Sequence, residues 1–230
     1  MRTFALLVTA AVFTCAAALP GARADAPAAA ARSADDGLRQ LLAGNQAFVA
    51  AGASCPRQTP ARRTEVAAAQ HPFAVIVGCA DSRVPPEAIF GQGIGDLFVA
   101  RVAGNVVDDA LLGSIEYAVT HFGVPLVVVL GHERCGAVEA ALADGTPPGH
   151  VDVVVRKIRS AIGTGHKAAA APDAVEHAVR ANIAASVRDI VTSAPVLAPL
   201  VKSGRVKVVG ARYDLDTGAI ELLPTDAMPR

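Results

Sequence analysis

The amino-acid sequence predicts an α/β fold: a single domain with a central, mainly parallel four-stranded sheet flanked by helices, plus an edge strand near the C-terminus. Short, continuous apolar runs such as 73–78 and 126–130 have the length and composition of strands buried on both faces. Segments with apolar residues at helical spacing separate these runs, and strands that alternate with helices form parallel sheets. The 230 residues, 52% of them hydrophobic, are enough for one well-buried domain.

Residues 1–24 are predicted to be a secretory signal peptide and not part of the domain. Arg2 supplies a basic start, residues 4–19 form an apolar stretch, and Ala22-Arg23-Ala24 has the small residues of a cleavage site. The apolar stretch is short for a membrane span, and the residues before Cys15 fit a lipoprotein signal poorly. We therefore expect export to the periplasm with cleavage near Ala24, and no stable membrane span.

The chain that remains after such cleavage is close to neutral. Residues 1–24 contain two of the 21 basic residues and none of the 21 acidic ones, which leaves 19 basic and 21 acidic residues and a net charge of −2. This balance gives no basis for a nucleic-acid or polyanion partner. The alanine-rich segment 25–36 is predicted to be a flexible leader, and residues 37–230 the folded domain.

The first part of the domain contains three predicted strands. Leu38, Leu41, Leu42 and Phe48 recur at helical spacing, which predicts a helix over about 36–50. A second clear helix is predicted between an aspartate that caps its start and Gly123, which ends it. In chain order, the predicted elements are helices at 36–50 and 62–69, strands at 73–78 and 97–102, a helix at 108–122, a strand at 126–130 and a helix at 135–143.

The second part of the domain completes the predicted sheet. Glu176 and Arg180, four residues apart, support a long helix that carries an apolar stripe. The sequence Asp216-Thr217-Gly218 predicts a turn before the last strand. The predicted elements are helices at 151–162, 173–191 and 194–202, a strand at 206–211 and an edge strand at 220–223. There is no internal repeat and no sign of a second domain.

Chemically capable side chains follow two of the predicted buried strands. Cys79, Asp81 and Arg83 come after the first strand at alternate positions, which would place them on one side of an extended chain. His132 and Cys135 follow the strand at 126–130. Because the carboxyl ends of parallel strands meet at one edge of a sheet, we expect these two groups to lie together in an active site.

Two cysteines and one histidine in this arrangement predict a zinc site. Cys79, His132 and Cys135 offer soft and borderline ligands that suit Zn²⁺, and three protein ligands leave a fourth position for water or substrate. Taken singly, each cysteine could be a small buried hydrophobic residue and the histidine a packed side chain. A disulfide between Cys79 and Cys135 is the other alternative, but zinc binding competes with oxidation. Cys55 is expected to be unpaired.

The residues around these ligands resemble a known family, the β-class carbonic anhydrases, and suggest a bacterial, exported member. The matching motifs are 79–83 (Cys-Ala-Asp-Ser-Arg) and 131–136 (Gly-His-Glu-Arg-Cys-Gly), and the likeness continues through 95–105, 114–118 and 210–218. It covers about residues 38–223. Glu133 departs from the pattern, since many relatives carry Ser or Thr there. The resemblance implies a zinc lyase with one Zn²⁺ per chain, which hydrates CO₂ reversibly to bicarbonate and a proton through attack of zinc-bound hydroxide.

The resemblance also implies roles for residues around the metal. Asp81 and Arg83 are the expected catalytic pair. Asp81 either stays with Arg83 and accepts a hydrogen bond from the hydroxide, or leaves Arg83 and occupies the fourth zinc position; we expect the first arrangement near neutral pH. Gln70 is expected as a substrate-side amide and Phe98 as an apolar wall for CO₂. A homodimer or a dimer of dimers is expected, with the N-terminal helix lying across a partner subunit.

Three other functions are compatible with parts of this pattern. Hydrolysis of CS₂ or COS is a second enzymatic reaction that this fold supports. A non-catalytic zinc-binding or interaction protein could keep the fold, but it would be expected to lack Asp81 or Arg83, and both are present. A thiol-redox role is disfavoured because the sequence contains no Cys-x-x-Cys motif.

Overall fold

The computed structural model describes residues 33–51, 57–163 and 173–224. In chain order, these residues form α1 (Ala34–Ala51), α2 (Pro60–Glu65), β1 (Ala74–Gly78), α3 (Pro86–Ile89), β2 (Leu97–Arg101), a 3₁₀ turn (Ala103–Asn105), α4 (Asp109–His121), β3 (Leu126–His132), α5 (Gly136–Leu142), α6 (Val151–Ile162), α7 (Ala174–Thr192), α8 (Leu197–Lys202), β4 (Lys207–Tyr213) and β5 (Ile220–Leu222). No helix within these ranges is long and apolar enough to cross a membrane.

The strands form one five-stranded sheet in the order β2-β1-β3-β4-β5. The first four strands are parallel, and β5 pairs antiparallel with β4 at the edge. The predicted α/β fold, with four parallel strands and an additional edge strand, is therefore confirmed. The chain leaves β1 for β2 on one side and later returns to β3 on the other side of β1. The carboxyl ends of β1 and β3 thus border the crevice in which α/β proteins bind ligands.

The two central strands make up the middle of the core. Every residue of β1 and β3 is buried, as their valine- and isoleucine-rich sequences predict for strands covered on both faces. In the parallel register Gly78 lies opposite Leu130, so Cys79 leaves β1 beside the last residues of β3. Strand β3 runs two residues beyond its predicted end at Leu130, because its pairing with β4 continues to His132 and Tyr213.

Helix α1 begins earlier than the sequence pattern indicates. The hydroxyl oxygen of Ser33 accepts a hydrogen bond from the Asp36 amide (3.1 Å), and Asp35 and Asp36 lie in the first turn, where carboxylates are favourable. The helix therefore includes residues 34–36, the last three of the segment 25–36 predicted as a flexible leader. Residues 25–32 and the predicted signal peptide, as well as Cys55, lie outside the described residues.

Other element boundaries also differ by a few residues from the predicted ones. Helix α2 spans Pro60–Glu65 rather than 62–69, because the side chain of Thr59 caps it at the Arg62 amide (3.2 Å) and Pro60 occupies its first turn. Helix α8 begins at Leu197 rather than at 194. The helices at 108–122 and 151–162 lie within one residue of their predicted bounds.

Candidate active site

Three side chains with metal-binding atoms meet at the carboxyl ends of β1 and β3. The ligand atoms of Cys79, His132 and Cys135 all lie within 4.8 Å of one another, and all three residues are buried. Cys79 directly follows β1, His132 is the last residue of β3, and Cys135 is the N-terminal cap of α5. Cys79 is far from His132 and Cys135 along the chain, and the parallel pairing of β1 with β3 brings the three residues together. Both cysteines are free thiols and form no disulfide.

In the imidazole of His132, one nitrogen makes a hydrogen bond and the other has no partner among the described residues. Nδ1 lies 2.8 Å from the carbonyl oxygen of Glu133, a contact that assigns the ring proton to Nδ1. Nε2 is buried and has no hydrogen-bond partner among the described residues. A buried imidazole nitrogen with a free lone pair, next to two thiols, fits a metal ion, because metal-binding histidines commonly donate their other N–H to a carbonyl or carboxylate.

Cys79 is prepared to be a thiolate. Its Sγ accepts hydrogen bonds from the amides of Gly104 (3.2 Å) and Asp81 (3.4 Å). The Cys135 thiol, His132 and these amides lower the pKa of Cys79, while hydrogen bonding to Cys79 and burial raise the pKa of Cys135. Both shifts come mainly from the hydrogen bond between the two sulfur atoms, in which Cys135 donates its proton to Cys79. A metal ion at this place would displace that proton.

Gly104 can approach Cys79 so closely because it has no side chain. Its φ of +67° is unfavourable for other residues. A Cβ atom at this position would also lie 2.7 Å from Cδ1 of Ile158 and 3.2 Å from Cβ of Ala137. The glycine thus brings its amide within hydrogen-bonding distance of the Cys79 sulfur. The turn at residues 103–105 is therefore part of the support of the metal-binding group.

Asp81 and Arg83 form a fork-like ion pair beside the metal-binding group. Arg83 donates from Nε to Oδ1 (3.0 Å), from Nη2 to Oδ2 (2.7 Å) and from its amide to Oδ1 (2.9 Å). These hydrogen bonds hold the pKa of Asp81 well below its ordinary value. Oδ2 of Asp81 lies 3.8 Å from Nε2 of His132. The carboxylate is therefore ionised at neutral pH and faces the nitrogen that can bind a metal.

The reason why Asp81 and Arg83 meet differs from the one the sequence suggested. Strand β1 ends at Gly78, and Ser82 and Arg83 lie in a turn, so the chain is not extended as far as Arg83, as the alternate spacing implied. Asp81 instead starts a turn in which its carbonyl oxygen accepts a hydrogen bond from the Val84 amide (3.2 Å). The Asp81 carboxylate stabilises this turn through the Arg83 amide, which is a common local role of aspartate. The two side chains thus converge within one turn.

Arg101 is a residue of the site to which the sequence pattern assigned no role. It is the last residue of β2 and donates from Nε to the Cys79 carbonyl (2.8 Å) and from Nη2 to the Asp81 carbonyl (2.6 Å). Both bonds hold the loop that presents Cys79 and Asp81. The available signal was the strand register, since Arg101 ends the strand next to β1 and pairs with Gly78.

The structure does not bring the two predicted substrate-side residues to this group within one chain. Gln70 is exposed in the segment before β1, whereas Cys79 follows the other end of that strand. Phe98 lies opposite Val75 in β1, and Val75 comes four residues before Cys79. Phe98 is therefore roughly 13 Å from Cys79 along the strand direction. It packs in an aromatic cluster with Tyr117 and Phe122, at ring-centroid distances of 6.4 and 6.3 Å. Their roles stay predictions.

Comparisons with known proteins agree with this arrangement. Residues 74–220 match the family model described as carbonic anhydrase. The chain is 44% identical to carbonic anhydrase 2 of Mycobacterium tuberculosis, over 78% of this chain and 88% of that protein. It is 42% identical to a carbonic anhydrase of Mycolicibacterium smegmatis, over 80% and 90% of the two chains.

Solved structures show the same fold. Tetrameric β-carbonic anhydrases from Sordaria macrospora are represented by a chain with a TM-score of 0.65 and 29% identity, over 79% of this chain and 90% of that one. The β-carbonic anhydrase of Coccomyxa, in complex with acetazolamide, has a TM-score of 0.64 and 30% identity, over 70% and 75% of the two chains. The chain therefore belongs to the β-carbonic anhydrase family of lyases.

Proposed function

We propose that the protein catalyses the zinc-dependent, reversible hydration of CO₂ to bicarbonate and a proton, with one Zn²⁺ per chain held by Cys79, His132 and Cys135. The observation that carries the proposal is the buried Nε2 of His132, which has no hydrogen-bond partner among the described residues and lies within 4.8 Å of two cysteine sulfur atoms. Two thiolates and one imidazole are a donor set that suits Zn²⁺ and leaves one position open.

A Zn²⁺ ion held by Cys79, His132 and Cys135 would supply a nucleophile at neutral pH, because zinc lowers the pKa of a bound water molecule to about 7. Asp81 is ionised and lies 3.8 Å from Nε2 of His132, so it accepts a hydrogen bond from the attacking group and orients it toward CO₂. Arg83 keeps the carboxylate ionised and in place through its three hydrogen bonds. The ion pair supports the arrangement in which Asp81 stays with Arg83 as the working state near neutral pH.

The proposal is tested on a single preparation of the purified protein. We expect about one zinc per chain and rapid CO₂ hydration by stopped flow. Removal of the metal with a chelator should abolish turnover, and Zn²⁺ should restore it. A protein that hydrates CO₂ at full rate without metal would refute the zinc mechanism, and one that holds zinc without turnover would refute the activity.

A homodimer or dimer of dimers is also proposed, and two observations support it. The relatives from Sordaria macrospora are tetrameric, and Tyr117, which is 47% exposed, extends the aromatic cluster of Phe98 at the outer edge of β2. In the sequence, the prediction of an oligomer rests on the N-terminal helix. In the structure, α1 packs Leu38, Leu41 and Phe48 against the core of its own chain, so this apolar face does not by itself require a partner.

If Gln70 and Phe98 act on CO₂, a second subunit must bring them to the site, since neither lies near the metal-binding group of its own chain. Mixing an inactive Cys135→Ser protein with a Phe98→Ala protein tests this by subunit exchange. Each mixed dimer would contain one site with both Cys135 and a partner's Phe98, and activity above the sum of the two variants is expected. Light scattering that shows an active monomer would refute the idea.

Export to the periplasm, with cleavage near Ala24, is proposed from the residues of the N-terminal segment. We expect to find the protein in the periplasmic fraction of a bacterium that expresses the full chain. Its mass should be that of a chain that begins at Asp25. A full-length mass in the cytoplasmic fraction would refute this proposal without affecting the catalytic one.

A further inference from the structure

Two neighbouring turns meet at the edge of the active site. We call residues 132–135, which carry His132 and Cys135, the metal turn, and residues 214–218, between β4 and β5, the hairpin turn. The pairing of β3 with β4 ends at His132 and Tyr213. The next amide, that of Glu133, donates to the Tyr213 carbonyl (3.1 Å). The main chain of the metal turn therefore continues the sheet up to the start of the hairpin turn.

The Glu133 side chain also contacts the hairpin turn. Its carboxylate is only 12% exposed, and Oε2 accepts hydrogen bonds from Nη2 of Arg212 and from the Leu215 amide, both at 3.2 Å. Arg212, 15% exposed, is also bonded to Asp214 (3.1 Å) and paired with Glu176 (2.7 Å). A carboxylate with so little exposure needs such charged and amide donors. Glu133 is thus fixed at both its amide and its carboxylate.

Arg134 adds a second connection between the two turns. Its φ of +48° is uncommon for a residue with a side chain, and its guanidinium binds both carboxylate oxygens of Asp216 (3.0 and 2.7 Å). On the other side, the Arg134 carbonyl accepts a hydrogen bond from Nη2 of Arg83 (3.2 Å). The metal turn is therefore held by the hairpin turn on one side and by the Asp81–Arg83 pair on the other.

These carboxylates could be mistaken for a second cation site. Oxygen atoms of Glu133, Asp214 and Asp216 lie within 4.8 Å of one another. Each of the three, however, already binds an arginine: Glu133 and Asp214 bind Arg212, and Asp216 binds Arg134. The positive charges that balance the cluster are therefore protein side chains, and the cluster is an ion-pair network that joins the two turns.

We propose that Glu133 is a positioning residue for the metal centre. The Glu133 carboxylate is fixed on the hairpin turn and thereby holds the main chain of Glu133 in place. The Glu133 carbonyl oxygen accepts the Nδ1 proton of His132 (2.8 Å). The carboxylate thereby sets the orientation of the imidazole and directs Nε2 to the metal. This inference rests on the proposed function, because it requires a metal at His132. Groups that orient a metal-binding histidine typically change metal affinity by about 10–100-fold when they are removed.

The test is the rate at which the zinc-loaded protein releases its metal to an excess of chelator. We expect release about 10-fold faster from Glu133→Ala than from the wild-type protein. Glu133→Gln should be intermediate, because its amide oxygen can still accept from the Leu215 amide but no longer pairs with the charge of Arg212. The matched control is Glu65→Ala, which removes a 67%-exposed carboxylate that pairs with Arg62 on α2 and should release zinc at the wild-type rate.

A second readout separates positioning from general loosening. With Co²⁺ in place of zinc, the visible absorption spectrum of Glu133→Ala should differ from that of the wild type, because the imidazole is reoriented, while the Glu65→Ala spectrum should not. Wild-type release rates and spectra in both Glu133 variants would overturn the inference, as would faster release with an unchanged spectrum. If Glu133→Ala does not fold, Glu133→Gln carries the test. A wild-type protein that binds no zinc would instead refute the proposed function.

Discussion

At the scale of single residues, each candidate metal ligand has a further contact that determines its state. Cys79 accepts two amide hydrogen bonds, His132 is fixed by the Glu133 carbonyl, and Cys135 lies at the N-terminus of α5. The positive end of a helix favours a thiolate over a thiol. The described contacts therefore favour the thiolate of Cys79 and leave Nε2 of His132 free, whereas Cys135, whose pKa is raised by Cys79 and by burial, would give up its proton when a metal binds.

Replacement of Cys135 by serine should remove most of the zinc. A serine hydroxyl remains protonated at neutral pH and is a poor ligand for Zn²⁺ compared with a thiolate. We expect less than about a tenth of the wild-type zinc content after dialysis, and a corresponding loss of CO₂ hydration. Metal analysis of the purified variant checks this, with circular dichroism as the control for folding. Full zinc content with full activity would show that Cys135 is not a ligand.

Replacement of Asp81 by alanine should slow catalysis and leave the metal in place. The Asp81 side chain bonds Arg83 and faces Nε2 of His132, but it is not one of the three metal-binding side chains. We expect CO₂ hydration to fall by roughly 10²-fold or more, the effect of removing a hydrogen-bond or proton acceptor from a reacting group. Stopped-flow kinetics and zinc content on the same sample check this. Unchanged turnover would refute the catalytic role, and loss of zinc together with loss of fold would make Asp81 structural.

At the scale of elements, α6 holds the end of the helix that begins at Cys135. Arg159 of α6 donates hydrogen bonds to the carbonyl oxygens of Ala141 (2.9 Å), Ala143 (2.6 Å) and Gly145 (3.0 Å). These carbonyls lie at or just beyond the end of α5, where intrahelical donors are lacking and a positive charge is favourable. A helix of only seven residues has little stability of its own, so its far end depends on this contact.

Arg159→Ala should therefore lower stability. Hydrogen bonds from a charged group contribute more than neutral ones, and we expect a loss of about 1–3 kcal/mol, seen as a fall of several degrees in Tm. The control is Arg156→Ala on the same helix, where an exposed arginine pairs with Asp152 and the expected loss is about 0–1 kcal/mol. Thermal unfolding of the three proteins checks this, and equal Tm values for the two variants would contradict it.

The sequence predicts elements better than it predicts contacts between them. The buried strands, the helices and the convergence of Cys79, His132 and Cys135 follow from apolar periodicity and from the rule that parallel strands end at one edge. The roles of Arg101 and Arg159 do not follow, because their carbonyl partners are 14–22 residues away along the chain and become neighbours only in the folded protein. The turn at Asp81 was misjudged because a local side-chain hydrogen bond outweighs the extended pattern.

At the scale of the whole molecule, ion pairs connect elements that are distant in sequence. Lys207 of β4 pairs with Asp35 of α1 (2.7 Å), and Arg180 of α7 pairs with Glu221 of β5 (2.6 Å). The buried side chain of Asn45 in α1 donates to the Gly218 carbonyl (2.8 Å) and accepts from the Ile220 amide (2.9 Å). The N-terminal helix is thereby attached to the same hairpin turn that contacts the metal turn, so the two ends of the described fold meet beside the active site.

Carboxylates that are stabilised in their ionised form make the stability of the protein depend on pH in the acid range. The pKa of Asp214 is lowered by hydrogen bonds from the Thr217 amide and hydroxyl and from Arg212, and Arg134 and Arg180 lower the pKa of Asp216 and Glu221. A carboxyl whose pKa is lower in the folded state binds protons more readily when unfolded. Its contribution is therefore complete above the ordinary pKa of about 4 and is lost as the pH falls through the lower folded pKa.

Asp214→Asn isolates this effect from protonation of the metal-binding thiolates, which also destabilises the protein in acid. The variant keeps the size of the side chain but loses the charge that Thr217 and Arg212 stabilise. At pH 7 its Tm should therefore be lower than that of the wild type by a few degrees. As the pH falls toward 3, the Asp214 carboxyl takes up a proton in the unfolded chain but stays ionised in the folded one, because its pKa is lower there. The stabilisation by the charge decreases, and the difference in Tm should shrink. Thermal unfolding of both proteins between pH 7 and 3 measures it, and a difference that stays constant over this range would show that the charge of Asp214 contributes nothing to the fold.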